Sequence, residues 1–199
     1  LCARPEGDLV ELGQTLREAE EMSTRLMGQL LAFGREGAGS GQGDLASVLR
    51  RCEPLLSALV RSGHLTCDVR VEPALVPLEA THLEQILVNL VTNAAEAIER
   101  GGNVRLELRA GRLDEPGGPA RFVLACVDDG CGMDEETVER VFEPYFTRKG
   151  QGHGIGMSVV YGLVRSVSGQ VLVDSALGEG TTVRVVLPRS RGGLRGTWP

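Results

Sequence analysis

The chain has 199 residues, a formal net charge of -6 and a pI near 5.2, which allows one core of ordinary domain size plus an appendage. That acidic balance argues against a nucleic-acid surface, which needs a basic stripe. No apolar run approaches the roughly 18 residues of a membrane span, and no signal peptide precedes the first element. Five cysteines, Cys2, Cys52, Cys67, Cys126 and Cys131, are odd in number and form no Cys-x-x-Cys pair. Neither a disulfide framework nor a zinc site is suggested, and a reducing cytoplasm fits best.

Residues 8–35 read as one long helix. Leu9, Leu12, Leu16, Ala19, Ser23, Leu26, Leu30 and Phe33 recur in alternating steps of three and four, the seam of helices that pack nearly parallel. A lone helix cannot bury that seam, so a partner helix is expected, in a second copy or in sequence outside this chain. Residues 1–36 are read as this helical part and 37–43, GAGSGQG, as a flexible linker. Asp44 then caps a second amphipathic helix carrying Leu45, Val48, Leu49, Cys52, Leu55, Leu56 and Leu59; Pro54 inside it leaves room for a kink or an interruption. Two short extended pieces, 66–71 and about 75–78, follow.

The stretch 81–100, THLEQILVNLVTNAAEAIER, carries two faces. Leu83, Ile86, Leu87, Leu90, Val91, Ala94, Ala97 and Ile98 form a core-facing helical stripe, and Thr81 with Glu84 reads as a capping box. On another face Gln85, Asn89, Asn93, Glu96 and Arg100 line up. Two asparagines one turn apart offer neutral amides to a ligand with defined hydrogen bonds or to a hard cation, although the stripe alone also suits ordinary polar surface.

Beyond Gly101 the period changes to two. Val104, Leu106 and Leu108 alternate with charged residues in a half-buried strand, and 122–127, FVLACV, is a central strand delivering Asp128-Asp129-Gly130-Cys131-Gly132 at its end. A short helix at about 134–141, a long glycine-bearing loop over 142–156, a helix at 155–167 and strands at 170–175 and 181–187 complete the pattern, with 189–199 as a tail. The fold class is therefore α+β: a two-layer α/β sandwich over 44–188, its mixed sheet covered on one face by about three helices, preceded by the coiled-coil-like helix. Glycine clusters at 128–132, 150–156 and 178–181 let backbone N–H groups approach phosphate or a flat base, and the second runs into a helix N-terminus. Any one alone is weak, and no Gly-Lys-Ser/Thr follows the second, which excludes a Walker loop.

Taken in order, NLVTNAAEA (89–97), DDGCGM (128–133), FEPYFTRK (142–149), GHGIGMS (152–158) and GEGTTV (178–183) resemble the N, G1, F, G2 and G3 boxes of the sensor histidine kinases, within the wider group of Bergerat-fold ATP-binding proteins. The resemblance covers about 44–188; LREAEEMSTRLMGQLLAFGRE at 16–36 is similar to the second helix of the kinases' dimerisation and phosphotransfer hairpin, a less specific match. It implies ATP and Mg²⁺ as ligands, with Asn93 supplying an amide oxygen to the metal, Asn89 supporting the phosphate end and Asp128 accepting from the adenine amino group. Gly130, Gly132, Gly152, Gly154 and Gly156 would shape the pocket and its lid. Lys149 would approach the terminal phosphates, and Met133, His153, Ile155 and Thr181 would complete the ATP site. In the ATP-hydrolysing relatives, the gyrase, Hsp90 and MutL group, the place of Asn89 holds a glutamate that activates water. An amide cannot act as a base near neutral pH, so the site is expected to hold ATP until another nucleophile arrives.

That nucleophile is expected to be a histidine, and here the sequence departs from the family pattern. None of His64, His82 and His153 lies in a phosphoacceptor helix, so the acceptor is expected before Leu1. The implied partners are a response-regulator receiver domain and a second copy of the chain, in the cytoplasm, with no nucleic acid. Two rival readings remain: a degenerate or regulatory ATP-binding dimer module without phosphotransfer, and a self-sufficient ATPase, which Asn89 disfavours.

Overall fold

The computed structural model describes residues 41–61, 63–111, 120–148 and 154–190. The expected N-terminal helix, most of the linker and the tail lie outside the described residues. The elements are β1 (Gly43–Asp44), α1 (Leu45–Leu59), β2 (His64–Val69), β3 (Leu75–Val76), α2 (Ala80–Ala97), β4 (Asn103–Gly111), β5 (Arg121–Asp128), α3 (Glu135–Arg140), α4 (Gly156–Ser166), β6 (Gln170–Ser175) and β7 (Thr181–Pro188).

Five strands form one sheet in the order β2-β4-β5-β7-β6. The β2–β4 pair is parallel and the other three are antiparallel, so the sheet is mixed as expected. Alternation decides the faces. Val104, Leu106 and Leu108, Phe122, Leu124 and Cys126, and Val185 and Leu187 point to the covered face and are all buried. Over them lie α1, α2 and α4, contributing among others Leu45, Leu49, Leu56, Leu83, Ile86, Leu87, Leu90, Val160 and Val164 to one continuous core. Each such side chain removed from water is worth about 1.5–3 kcal/mol, which is why the apolar stripes, more than local propensity, place these helices. The short α3 buries none of its residues and sits against the edge strand β6. A separate two-stranded ladder pairs Gly43 with Val76 and Asp44 with Leu75.

The Asp44 cap forms as expected: its carboxylate accepts from Ala46 N at 3.1 Å and also from Ala74 N at 2.8 Å, tying the start of α1 to β3. Two local points differ from the simplest reading of the sequence. First, α1 continues through Pro54 without an interruption. Glu53, Pro54 and Leu55 all face solvent, so the Arg50 carbonyl that loses its partner can be hydrated. Second, Thr81 and Glu84 form no capping box. The helix begins at Ala80 after Glu79, which makes no side-chain cap. Buried Val76 and Leu78 fix where the chain enters, Leu83 N bonds the Glu79 carbonyl at 3.1 Å, and Glu84 turns to Arg51 of α1 at 2.5 Å. The helix also ends at Ala97, which leaves Arg100 beyond the polar stripe.

Candidate functional site

Three groups of residues converge on the C-terminal half of α2. The first is the end of β5. Asp128 is the last residue of the strand and, at 8 % exposure, one of two buried polar residues named among those described; the other is Thr181, at 9 %. They face each other across the β5–β7 ladder. Asp128 Oδ1 accepts from Gly130 N at 3.0 Å, which folds the chain back over the carboxylate. The adjacent Asp129 does a different job. It is exposed and accepts from both the backbone and the side chain of Asn103, each at 2.7 Å. Those bonds, the side-chain one foremost, hold its carboxyl below the usual carboxylate range. Asp129 therefore pins the loop, and Asp128 is the one left at the head of the covered face.

The second group is the pair of glycine loops around Asp128. Cys131 N donates to the Ala97 carbonyl at 3.0 Å, joining the loop after β5 to the last turn of α2. A side chain on Gly130 would fall 2.5 Å from that same carbonyl oxygen, so this approach requires glycine. Gly178 N donates to the Cys131 carbonyl at 2.8 Å, Met133 N to the Ser175 hydroxyl at 2.9 Å, and Ser175 in turn to the Gly180 carbonyl at 2.9 Å. The loop after β5 and the turn before β7 are thus one bonded unit. A cavity of about 210 Å³ at these strand ends is lined by Asp128, Ser175, Gly180 and Thr181 among others, and one of about 570 Å³ beside it by Met133, α3 and β6. Gly132 adopts φ +65°, and its missing Cβ would meet the Ala176 carbonyl.

The third group is the polar stripe of α2 and the start of α4. A methyl placed on Gly156 would lie 3.4 Å from Asn89 Oδ1 and 3.7 Å from Asn93 Nδ2, so both amides stand against the first turn of α4. Ile155 at the N-cap offers no side-chain bond to that turn, whose N–H groups carry the positive end of the helix dipole. Asn93 is one helical turn, about 6 Å, before Ala97, so the amide end and the Asp128 end are neighbours along one helix. Neither of the two cavities reaches Asn89 or Asn93. Gly154, at φ +64°, accepts from Tyr145 N at 2.9 Å and its missing Cβ would meet the Phe146 carbonyl, which docks the loop after α3 on the entry to α4. Of the expected site, Asn89, Asn93, Asp128, Gly130, Gly132, Met133, Gly154, Ile155, Gly156 and Thr181 fall into these groups. Lys149, Gly152 and His153 lie outside the described residues.

Two participants were not expected from sequence. Arg148 forms an ion pair with Asp134 and another, at 2.8 Å, with Glu136. With the Thr137 hydroxyl and N–H as the larger cause and Arg148 second, Asp134 is lowered to about 2. Ser175 is the other. Its signal was present: Val171, Val173 and Ser175 share one face of β6, and a hydroxyl stands where that face calls for a third apolar side chain.

Among the described residues no group of three or more His, Cys, Asp or Glu side chains could hold a metal. The side chains at the Asn89 and Asn93 end are amides, and an amide oxygen suits a hard ion that keeps water and phosphate as its other ligands.

A five-stranded mixed sheet under three helices, with an aspartate at a strand end and paired asparagines on the middle helix, is a two-layer α/β sandwich. The family described as histidine kinase-, DNA gyrase B-, and HSP90-like ATPase matches residues 79–191, more than half of the chain, and the chain belongs to it. Sensor kinase CckA of Brucella abortus (strain 2308) is 34% identical over 87% of this chain and 20% of its own length; sensor histidine kinase ZraS of Klebsiella oxytoca is 31% identical over 86% and 36%. The chain thus spans well under half of these relatives. In structure, the mycobacterial sensor histidine kinase MprB superposes with a TM-score of 0.64 at 25% identity, covering 75% of this chain and 97% of that one. Full-length ShkA in complex with AMPPNP gives 0.66 at 26% identity, covering 94% and 40%. The region is an ATP-binding catalytic domain of the histidine kinase type. No described helix is long and apolar enough to cross a membrane.

Proposed function

We propose that this domain holds Mg²⁺-ATP and passes the γ-phosphate to a histidine on a dimerisation helix outside this chain, for relay to an aspartate of a response-regulator receiver domain. The observation that carries this reading is the layout along α2: paired amides at Asn89 and Asn93 against the start of α4, and a buried carboxylate, Asp128, beyond the helix's last turn. In this reading Asp128 accepts from the adenine amino group. Thr181, Gly130, Gly132 and Met133 close around the base, and Asn89, Gly154, Ile155 and Gly156 serve the phosphates with Lys149, Gly152 and His153. The first-turn N–H groups of α4 favour anions, and ShkA, a relative of the same fold, was solved with AMPPNP.

Mg²⁺ fits Asn93, and when bound it would neutralise charge on the phosphates. The domain's own residues orient the nucleotide. Asn89 offers no proton-accepting group near neutral pH, so transfer waits for an incoming imidazole: the nitrogen–phosphorus bond forms as the bond to ADP breaks. Dimerisation through the helix expected from the sequence at 8–35 and a cytoplasmic setting, where ATP is supplied, belong to the same reading.

Incubation with ATP labelled on its γ-phosphate tests it, using the chain alone and a longer form that includes a candidate acceptor helix. Acid-labile label is expected on the longer form only. Label on the chain alone, or steady release of free phosphate without an acceptor, contradicts the reading; nucleotide binding with no transfer in either form favours a regulatory module.

A further inference from the structure

One cross-strand row on the helix-covered face contains Asp128 of β5, Thr181 opposite it on β7 and Ser175 opposite Thr181 on β6. The Ser175 hydroxyl makes three polar contacts: the Gly180 carbonyl at 2.9 Å, Met133 N at 2.9 Å and Thr181 Oγ1 at 3.0 Å. A hydroxyl has one proton and two lone pairs. A carbonyl can only accept and a backbone N–H can only donate, so the Ser175 proton goes to Gly180 and one lone pair receives Met133. The third contact is a hydrogen bond only if Thr181 is its donor. The single Thr181 proton is thereby turned to Ser175, and what Thr181 has left to offer the cavity it shares with Asp128 is a lone pair.

We propose that Ser175 is a specificity-determining positioning residue, which by engaging the Thr181 proton makes this end of the site acceptor-only and so selects adenine over guanine. Adenine presents an amino donor at the position where guanine presents a carbonyl acceptor. A carbonyl facing Asp128 and a lone pair of Thr181 finds no donor. This rests on the reading of Asp128 as the base-binding carboxylate, and Ser175 acts through Thr181 without touching the base.

Calorimetric titration of the chain with Mg²⁺-ATP and with Mg²⁺-GTP tests the inference in the wild type, Ser175→Ala, Ser175→Thr and Asp128→Asn. The informative quantity is the ratio of the two dissociation constants, because a hydroxyl that merely rivets the loops lowers both affinities together. The wild type is expected to prefer ATP. Ser175→Ala frees the Thr181 proton to donate and lowers that preference by about five- to tenfold, the worth of one neutral hydrogen bond, while Ser175→Thr keeps the hydroxyl and the wild-type ratio. An unchanged ratio in Ser175→Ala, an equal drop in Ser175→Ala and Ser175→Thr, or a wild type indifferent to the base overturns the inference. ATP binding that is lost in Asp128→Asn while the ratio survives Ser175→Ala overturns the inference alone; ATP binding untouched by Asp128→Asn overturns the reading beneath it.

Discussion

Gly178 and Gly180 offer a paired perturbation in which conformation is held constant and space is not. Their φ values are +78° and +79°, so alanine at either position carries the same left-handed cost, about 1–2 kcal/mol. A Cβ on Gly178 meets nothing within 4 Å, whereas one on Gly180 would fall 2.1 Å from the Asp128 carbonyl oxygen and 3.0 Å from Asp129 Cα. These are backbone atoms and cannot swing aside. Gly180→Ala must therefore displace the end of β5, at a further cost of about 1–3 kcal/mol. Urea unfolding followed by circular dichroism should show Gly178→Ala destabilised by about 1–2 kcal/mol and Gly180→Ala by about 2–5 kcal/mol. ATP affinity, measured by calorimetry, should be nearly unchanged in the first and lost in the second, since only the second moves Asp128. Equal destabilisation, or full ATP affinity in Gly180→Ala, would refute the claim that the close approach of this turn to β5 sets the site.

Other outcomes follow from single features of the structure. Leu83→Ala removes a fully buried side chain between the helices and the sheet, and unfolding should become easier by about 2–5 kcal/mol with the midpoint falling in a denaturant titration. Asp134, lowered to about 2 from 3.8, contributes stability that is present above pH 3.8 and fades as the pH drops toward 2. Its carboxyl carbon shift should titrate near 2 in the wild type and higher in Thr137→Ala, which removes the hydroxyl bond; a midpoint near 3.8 in the wild type contradicts the contact. Among the four described cysteines, Cys131 is exposed, while burial pushes the Cys67 thiol to about 11 and the Cys126 thiol to about 12. Brief alkylation at pH 8, read by peptide mass spectrometry, should mark Cys131 before either of them.

Much of the fold could be read from the chain because burial leaves a period in the sequence. The 3.6-residue stripe of α2 and the two-residue alternation of β4 each point to one face, and the structure uses those faces. Features set by a second segment were less visible. Whether Thr81 caps α2 depends on where Val76 and Leu78 anchor the incoming chain, and whether Pro54 breaks α1 depends on which side of the helix meets water. At the site, residues whose type is unusual in its surroundings stood out: an amide pair on an apolar helix, and an aspartate closing the apolar run of β5. Arg148 did not, because an arginine in a polar loop is ordinary in sequence, and Ser175 left only the faint mark of a hydroxyl ending the apolar face of β6. Their roles come from partners 12 or 14 residues away in one case, Glu136 and Asp134, and from 42 residues away in the other, Met133.

The most direct measurement for the central claim is calorimetric binding of ATP and of adenosine, with and without Mg²⁺, to the wild type, Asn93→Ala and Asp128→Asn. If the amide end serves the metal and phosphates and the carboxylate end serves the base, Asn93→Ala abolishes the Mg²⁺ dependence of ATP binding and spares adenosine, while Asp128→Asn weakens both ligands by about tenfold or more. A Mg²⁺ effect that survives Asn93→Ala, or adenosine binding that ignores Asp128→Asn, would contradict it.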